Sequence, residues 1–149
     1  MDKNNKTENM TIPNRRRVIK SGEFARREDL HSVEMPDSVS IIREGAFWGC
    51  RYMEMVKLSK RLKTIEDSAF RDCYELKAIT LPEGLESIGD AAFFKCFELE
   101  EVVVPKSVNV IGEDAFGMCQ KLKHLLIPHE TLVSENVIRE SPQCIIEKY

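Results

Sequence analysis

The apolar positions of this chain recur every 23 residues. Phe24, Phe47, Phe70, Phe93 and Phe116 share one column, with Ala46, Ala69, Ala92 and Ala115 just before it and Cys50, Cys73, Cys96 and Cys119 three residues beyond. Leu30, Met53, Leu76, Leu99 and Leu122 open the next block, followed by the columns that begin at Val33 and Met35 and include Ile79 and Leu81. Pro36, Pro82, Pro105 and Pro128 share a position that Ser59 fills in the remaining copy, and Ile42, Ile65, Ile88 and Ile111 complete the pattern. A self-match at a fixed period in the twenties marks a protein of stacked repeats.

Each block predicts its own elements. Alternation of the Val33-x-Met35 kind is the period of a strand, and the Pro that follows ends it, because Pro has no N–H to give a ladder. A strand of three or four residues, such as 78–81, is therefore expected in every copy. The spacing Ile-x-x-x-Ala-Phe-x-x-Cys predicts a short extended piece and then a single helical or 3₁₀ turn, around residues 90–95 in the central copy. Gly89 and Gly112 are expected to supply backbone angles that other residues resist. One coil buries too little apolar surface to offset the entropy of fixing its own backbone, so the copies need one another.

The columns resemble the BspA-like leucine-rich-repeat family, whose unit reads Leu-x-x-Ile-x-Leu-Pro-x-x-Leu-x-x-Ile-x-x-x-Ala-Phe-x-x-Cys. The resemblance covers residues 10–128. Leucine-rich repeats in general carry Asn or Cys on the turn after the strand; here that position holds Ser38, Arg61, Gly84, Ser107 and Glu130, so no asparagine ladder holds these turns. The resemblance implies an α/β leucine-rich-repeat right-handed solenoid, with short parallel strands on one face and short 3₁₀ or helical turns plus extended segments on the other. It also implies a surface adhesin or interaction module.

The ends depart from the pattern. Residues 1–9 are polar and aperiodic and are expected to form a disordered tail; residues 10–149 are expected to form a single solenoid. In its first copy, 10–29, Arg16, Glu23 and Arg27 take columns that elsewhere hold aliphatics, Ala and Cys, which reads as a polar amino-terminal cap on the repeats of 30–128. Residues 129–149 read as a carboxy-terminal cap. At a spacing of 23, Thr131 and Ser134 replace Val and Ile, Arg139 replaces Phe and Pro142 replaces Cys, and the closing CIIEKY reads as a last strand with Cys144 and Ile146 inward.

Composition narrows the function. A net charge of -3 provides no field that selects nucleic acid, and the basic cluster of Arg15, Arg16, Arg17, Lys20, Arg26 and Arg27 reads as a solvated cap. No run of 18 apolar residues exists to span a membrane. The polar amino-terminal stretch lacks the apolar region of a secretory leader. A cytoplasmic location is therefore expected, or the cell surface if a leader has been removed. The cysteine column points inward at fixed intervals, where reduced thiols act as small hydrophobes; its sulfurs lie in a line, so they do not converge as a zinc site requires. His31, His124 and His129 form no catalytic constellation with the acids. Glu66, Asp67, Asp90 and Asp114 read as ordinary solvated turn residues. No enzymatic activity, cofactor or metal is expected.

What remains for recognition is the strand face, where residues between the buried columns form two outward rows. One runs Ser32, Met55, Ala78, Glu101, His124 and the other Glu34, Lys57, Thr80, Val103, Leu126. The candidate binding residues are Met55, Lys57, Ala78, Thr80, Glu101, Val103, His124 and Leu126. The expected partner is a protein, or alternatively a glycan, bound by a monomer. The rival readings are a self-associating spacer and a fragment of a bacterial-type cell-surface adhesin.

Overall fold

A computed structural model of the protein describes residues 8–149. Twelve strands follow in order: β1 (Glu8–Thr11), β2 (Val18–Ile19), β3 (Leu30–Glu34), β4 (Ile41–Ile42), β5 (Met55–Lys57), β6 (Thr64–Ile65), β7 (Ser87–Ile88), β8 (Glu101–Val103), β9 (Val110–Ile111), β10 (His124–Ile127), β11 (Leu132–Val133) and β12 (Ile145–Lys148). Every pairing is parallel. The chain winds as a β-solenoid whose rear carries one unbroken sheet, β11-β9-β7-β6-β4-β2. The front carries two three-stranded sheets, β1-β3-β5 and β12-β10-β8. Of the expected tail, residues 1–7 lie outside the described residues, and Glu8 and Asn9 belong to β1.

The apolar columns fill the interior. Phe47, Phe70, Phe93 and Phe116 are fully buried and stack on one another at 5.2–5.3 Å with interplanar angles of 2–6°. Each cysteine thiol of the column donates to a phenylalanine carbonyl of the preceding coil, at 3.0–3.3 Å. Burial pushes Cys50 up to about 11 and Cys119 to about 12, and raises Cys73 and Cys96 well above the ordinary thiol value. The thiol therefore serves as a buried donor that adds a bond from the next coil to a carbonyl already accepting an amide of its own turn.

Four expectations need correction. Among the described residues no helix or 3₁₀ turn forms, so these residues make an all-β solenoid in place of the expected α/β one. The stretch around Phe47 is instead a chain of separate turns, with amide-to-carbonyl bonds from Ala46 to Arg43, Trp48 to Gly45 and Cys50 to Phe47. Left-handed residues at Gly45 (φ 59°) and Gly49 (φ 73°) interrupt it, as do Ser68, Asp72, Ala91, Lys95, Asp114 and Met118 in later coils, and a helix cannot propagate through them.

Gly89 and Gly112 are not among the residues with positive φ; they are notches. A Cβ on Gly89 would meet Asp67 Oδ1 at 2.3 Å, and one on Gly112 would meet Asp90 Oδ1 at 2.2 Å. Those carboxylates accept bonds from the Asp90 and Glu113 amides, each at 2.8 Å. Asp67 and Asp90 are thus staples between coils, as is Glu66, which takes Arg43 at 2.8 Å and the Glu44 amide at 3.0 Å. Asp114 pairs with Arg139.

The expected strand over 78–81 is reduced to a single bridge between Met55 and Ala78. Ala78 brings neither a β-branch nor a side chain to pair across the ladder.

The last coil, finally, drops one residue near Val133, so a spacing of 22 governs as far as Cys144, and a second before β12, whose residues pair at a spacing of 21. Val133 pairs with Ile111, Val137 takes the alanine position through its carbonyl bond from the Phe116 amide, and Ser141 takes the cysteine position. Its hydroxyl donates to Phe116 O at 2.8 Å, copying the thiol bonds, and accepts from the Cys119 amide at 2.9 Å. Cys144 is half-buried in the leucine column, and Ile146 pairs with Leu125 yet is 38% exposed, because no coil covers it.

Candidate functional site

The outward rows of the front face exist as expected. Ser32 lies beside Met55 and Glu34 beside Lys57; Met55 bridges to Ala78; Glu101 lies beside His124 and Val103 beside Leu126. Met55, Lys57, Ala78, Thr80, Glu101 and Val103 are exposed, while His124 and Leu126 are half-buried. Strand β12 adds one more rung, with Ile145 beside His124 and Glu147 beside Leu126. It does not cover the rows; it prolongs them.

Apart from Met55, which is 57% exposed, the amino-terminal half of the face is polar and internally paired. Ser32 Oγ donates to Asn9 Oδ1 at 2.7 Å. Lys57 forms an ion pair with Glu34 along its own row, and the hydrogen bond and charge of that carboxylate raise the ammonium above its ordinary value. In the carboxy-terminal half, Val103 is 46% exposed and Ile145 59%. His124 Nδ1 lies 2.6 Å from Glu147 Oε1, a contact that runs diagonally between the two rows.

Between the halves lies a gap. The Leu81 amide makes no bond to Val103 comparable with the bond from Met35 to Lys57 O, or from Val104 to Leu126 O, each at 2.9 Å. Thr80, Glu83, Glu101, Val103 and Pro105 border a shallow hollow there, walled by Tyr149. The Tyr149 hydroxyl donates to Val104 O at 2.7 Å, and Lys106 Nζ lies 5.9 Å from its ring centroid. Tyr149 escaped the sequence reading; only when two residues are dropped from the last copy does it fall in register with Pro128.

The described residues of the face offer hydrogen-bonding groups, an apolar strip and one aromatic wall, an arrangement suited to binding. A model of the BspA type leucine rich repeat region matches residues 2–123 in six copies. The chain belongs to the BspA-type leucine-rich-repeat family. It also resembles solved structures of leucine-rich-repeat proteins. It is 26% identical to a leucine-rich-repeat protein of T. pallidum, with a TM-score of 0.86 over 93% of this chain and 67% of that one. It is 35% identical to a leucine-rich cell surface protein of Faecalibacterium prausnitzii, at a TM-score of 0.75 over 88% and 34%. The pneumococcal vaccine antigen PcpA shares the fold, with a TM-score of 0.85 at 23% identity over 100% and 42%. The chain thus spans two thirds of the first of these proteins and less than half of the other two. No curated protein matches.

Proposed function

We propose that this protein is a non-enzymatic recognition module that binds a protein partner on the carboxy-terminal half of its front face. The observation that carries this reading is the placement of exposed apolar side chains. Val103 and Tyr149 line the gap in the front ladder and Ile145 lies exposed on the last rung, whereas the amino-terminal half spends its polar groups on one another. Rows of variable residues on a repeated scaffold are how solenoids build extended binding surfaces, and an apolar strip rimmed by charge suits a protein. A glycan is the weaker fit, because Tyr149 is the one aromatic ring lining the hollow among the described residues. The surface role named for the Faecalibacterium relative supports a recognition function and leaves the partner open.

The test replaces Thr80, Val103 and Ile145 together with Asp. All three side chains point to solvent, so the fold is expected to survive, as circular dichroism will report. Loss of a partner that the parent captures from host lysate supports this face. Undiminished capture by the folded triple variant excludes it.

A further inference from the structure

Ion pairs in this protein follow the repeat. Arg43 pairs with Glu66, Lys77 with Glu54 and Lys121 with Glu98, each across 23 residues, so the cation meets its acid in the same column one coil away. On the flank where the chain turns from the front face to the rear, two columns break that habit. Arg61 has Ser38 and Gly84 as its column neighbours, and Arg17 has Ser40. None of these carries a charge, and among the described residues neither guanidinium forms an ion pair or rests on an aromatic ring. Lys63, whose column continues to Glu86, does pair, at 3.0 Å.

The small neighbours that leave these arginines without a counter-ion also open a hollow of about 590 Å³ beside them. Its lining holds four cations, Arg17, Lys60, Arg61 and Lys63, against two acids, Asp37 and Glu83. Asp37 Oδ1 already accepts the Lys60 amide at 3.0 Å. The Ser38 hydroxyl in the same lining is shielded from water and has no partner among the described residues, an uncommon state for a buried polar group.

We infer that this hollow binds a small polar ligand through a phosphate or sulfate ester group. In the other columns an acid of the chain completes the pair; here the ligand brings the missing anion. Arg17 and Arg61 stand two coils apart, about 10 Å at the backbone, and their long stems let both reach one group. Each guanidinium offers an oxyanion two parallel N–H donors. A tetrahedral oxyanion has oxygens enough for both forks and for Lys60, whereas a carboxylate has only two. The hollow exceeds one oxyanion and falls within the range of small-ligand sites. Leu62 is the one aliphatic residue in its lining, so the body of the ligand is polar, as a sugar is. Neither arginine belongs to the front face, so this inference stands or falls separately from the recognition reading.

The experiment is a titration of the full, nitrogen-15-labelled chain at low ionic strength with glucose 6-phosphate, glucose 6-sulfate and, as the uncharged control, glucose, followed by amide shifts. At least one ester is expected to saturate in the millimolar range or below, with the shifts centred on Ser38, Ser40, Arg61, Lys63 and Gly84, and the tighter of the two identifies the oxyanion. Glucose should leave these amides unmoved. The double variant Arg17→Ser, Arg61→Ser changes only exposed side chains and should keep the parent circular dichroism while weakening the ester at least about tenfold. Lys121→Ser, which removes a cation already paired with Glu98, should bind as the parent does. Failure of both esters to saturate, equal shifts with glucose, a smaller loss in the double variant, or an equal loss in Lys121→Ser would each overturn the proposal.

Discussion

The middle of the stack and its carboxy-terminal end use the same columns with different consequences. Phe93 lies between two rings and is fully buried; Ile138, its counterpart one residue out of step, has a neighbour on one side and is half-buried. Repeat proteins hold together through nearest-neighbour contacts, so an identical column position is worth more inside the stack than at its rim. The contrast teaches that a column assigns direction, while the number of neighbours assigns energy.

That contrast is broken most directly by truncation. Phe93→Ala should cost about 3–5 kcal/mol and Ile138→Ala clearly less, as chemical denaturation will report; equal losses would mean that the rim is as well packed as the centre. Next in size is Gly112→Ala, whose Cβ would collide with Asp90 at a backbone atom as well as at Oδ1. Overpacking of this kind costs about 1–3 kcal/mol, and calorimetry should find a lower Tm even though alanine is the better residue for most backbones.

Alkaline pH sharpens the same comparison. The thiols of Cys50 and Cys119 titrate at about 11 and 12 in the folded chain against 9.0 ordinarily. A raised value of this kind keeps its stabilisation whole below about pH 9 and loses it as pH climbs toward those values. Denaturant midpoints should therefore fall above pH 9, and a Cys96→Ser variant, built on the hydroxyl that Ser141 already uses, should fall less.

At the amino-terminal end, the hydrogen bond from Arg27 holds Asp29 down at about 2, against 3.8 ordinarily. Its contribution is present above about pH 4 and is lost as pH drops toward 2, and the loss should appear as faster amide exchange in β1 with little change in β8. The smallest effect is expected at Lys95, a left-handed residue with φ 60°; Lys95→Gly should stabilise by less than about 1 kcal/mol.

Much of this was legible in the residues. Alternation about Val33 and Met35 assigned both the interior and the two outward rows, because a strand has only two sides. The turns were less legible. The Ala-Phe-x-x-Cys spacing is compatible with helix, and only the left-handed backbone at positions such as Ala91 and Lys95 rules it out. The role of Gly89 depended on a carboxylate 22 residues earlier in the chain, Asp67, which no local pattern reveals. In the last coil a single dropped residue hid Val133, Ile138 and Ser141 behind a spacing of 23, though sliding by 22 recovers them. The gap beside Ala78 had only a weak herald, the smallest side chain in its row.

That gap has a mechanical meaning. The rear ladder runs unbroken through β6, β7 and β9 while the front ladder is missing at the same level, so the rod resembles a book with an intact spine and an open fore-edge at its midpoint. Flexing it there changes its curvature without tearing any rear rung, and a guest wedged beside Tyr149 would straighten or arch the whole length.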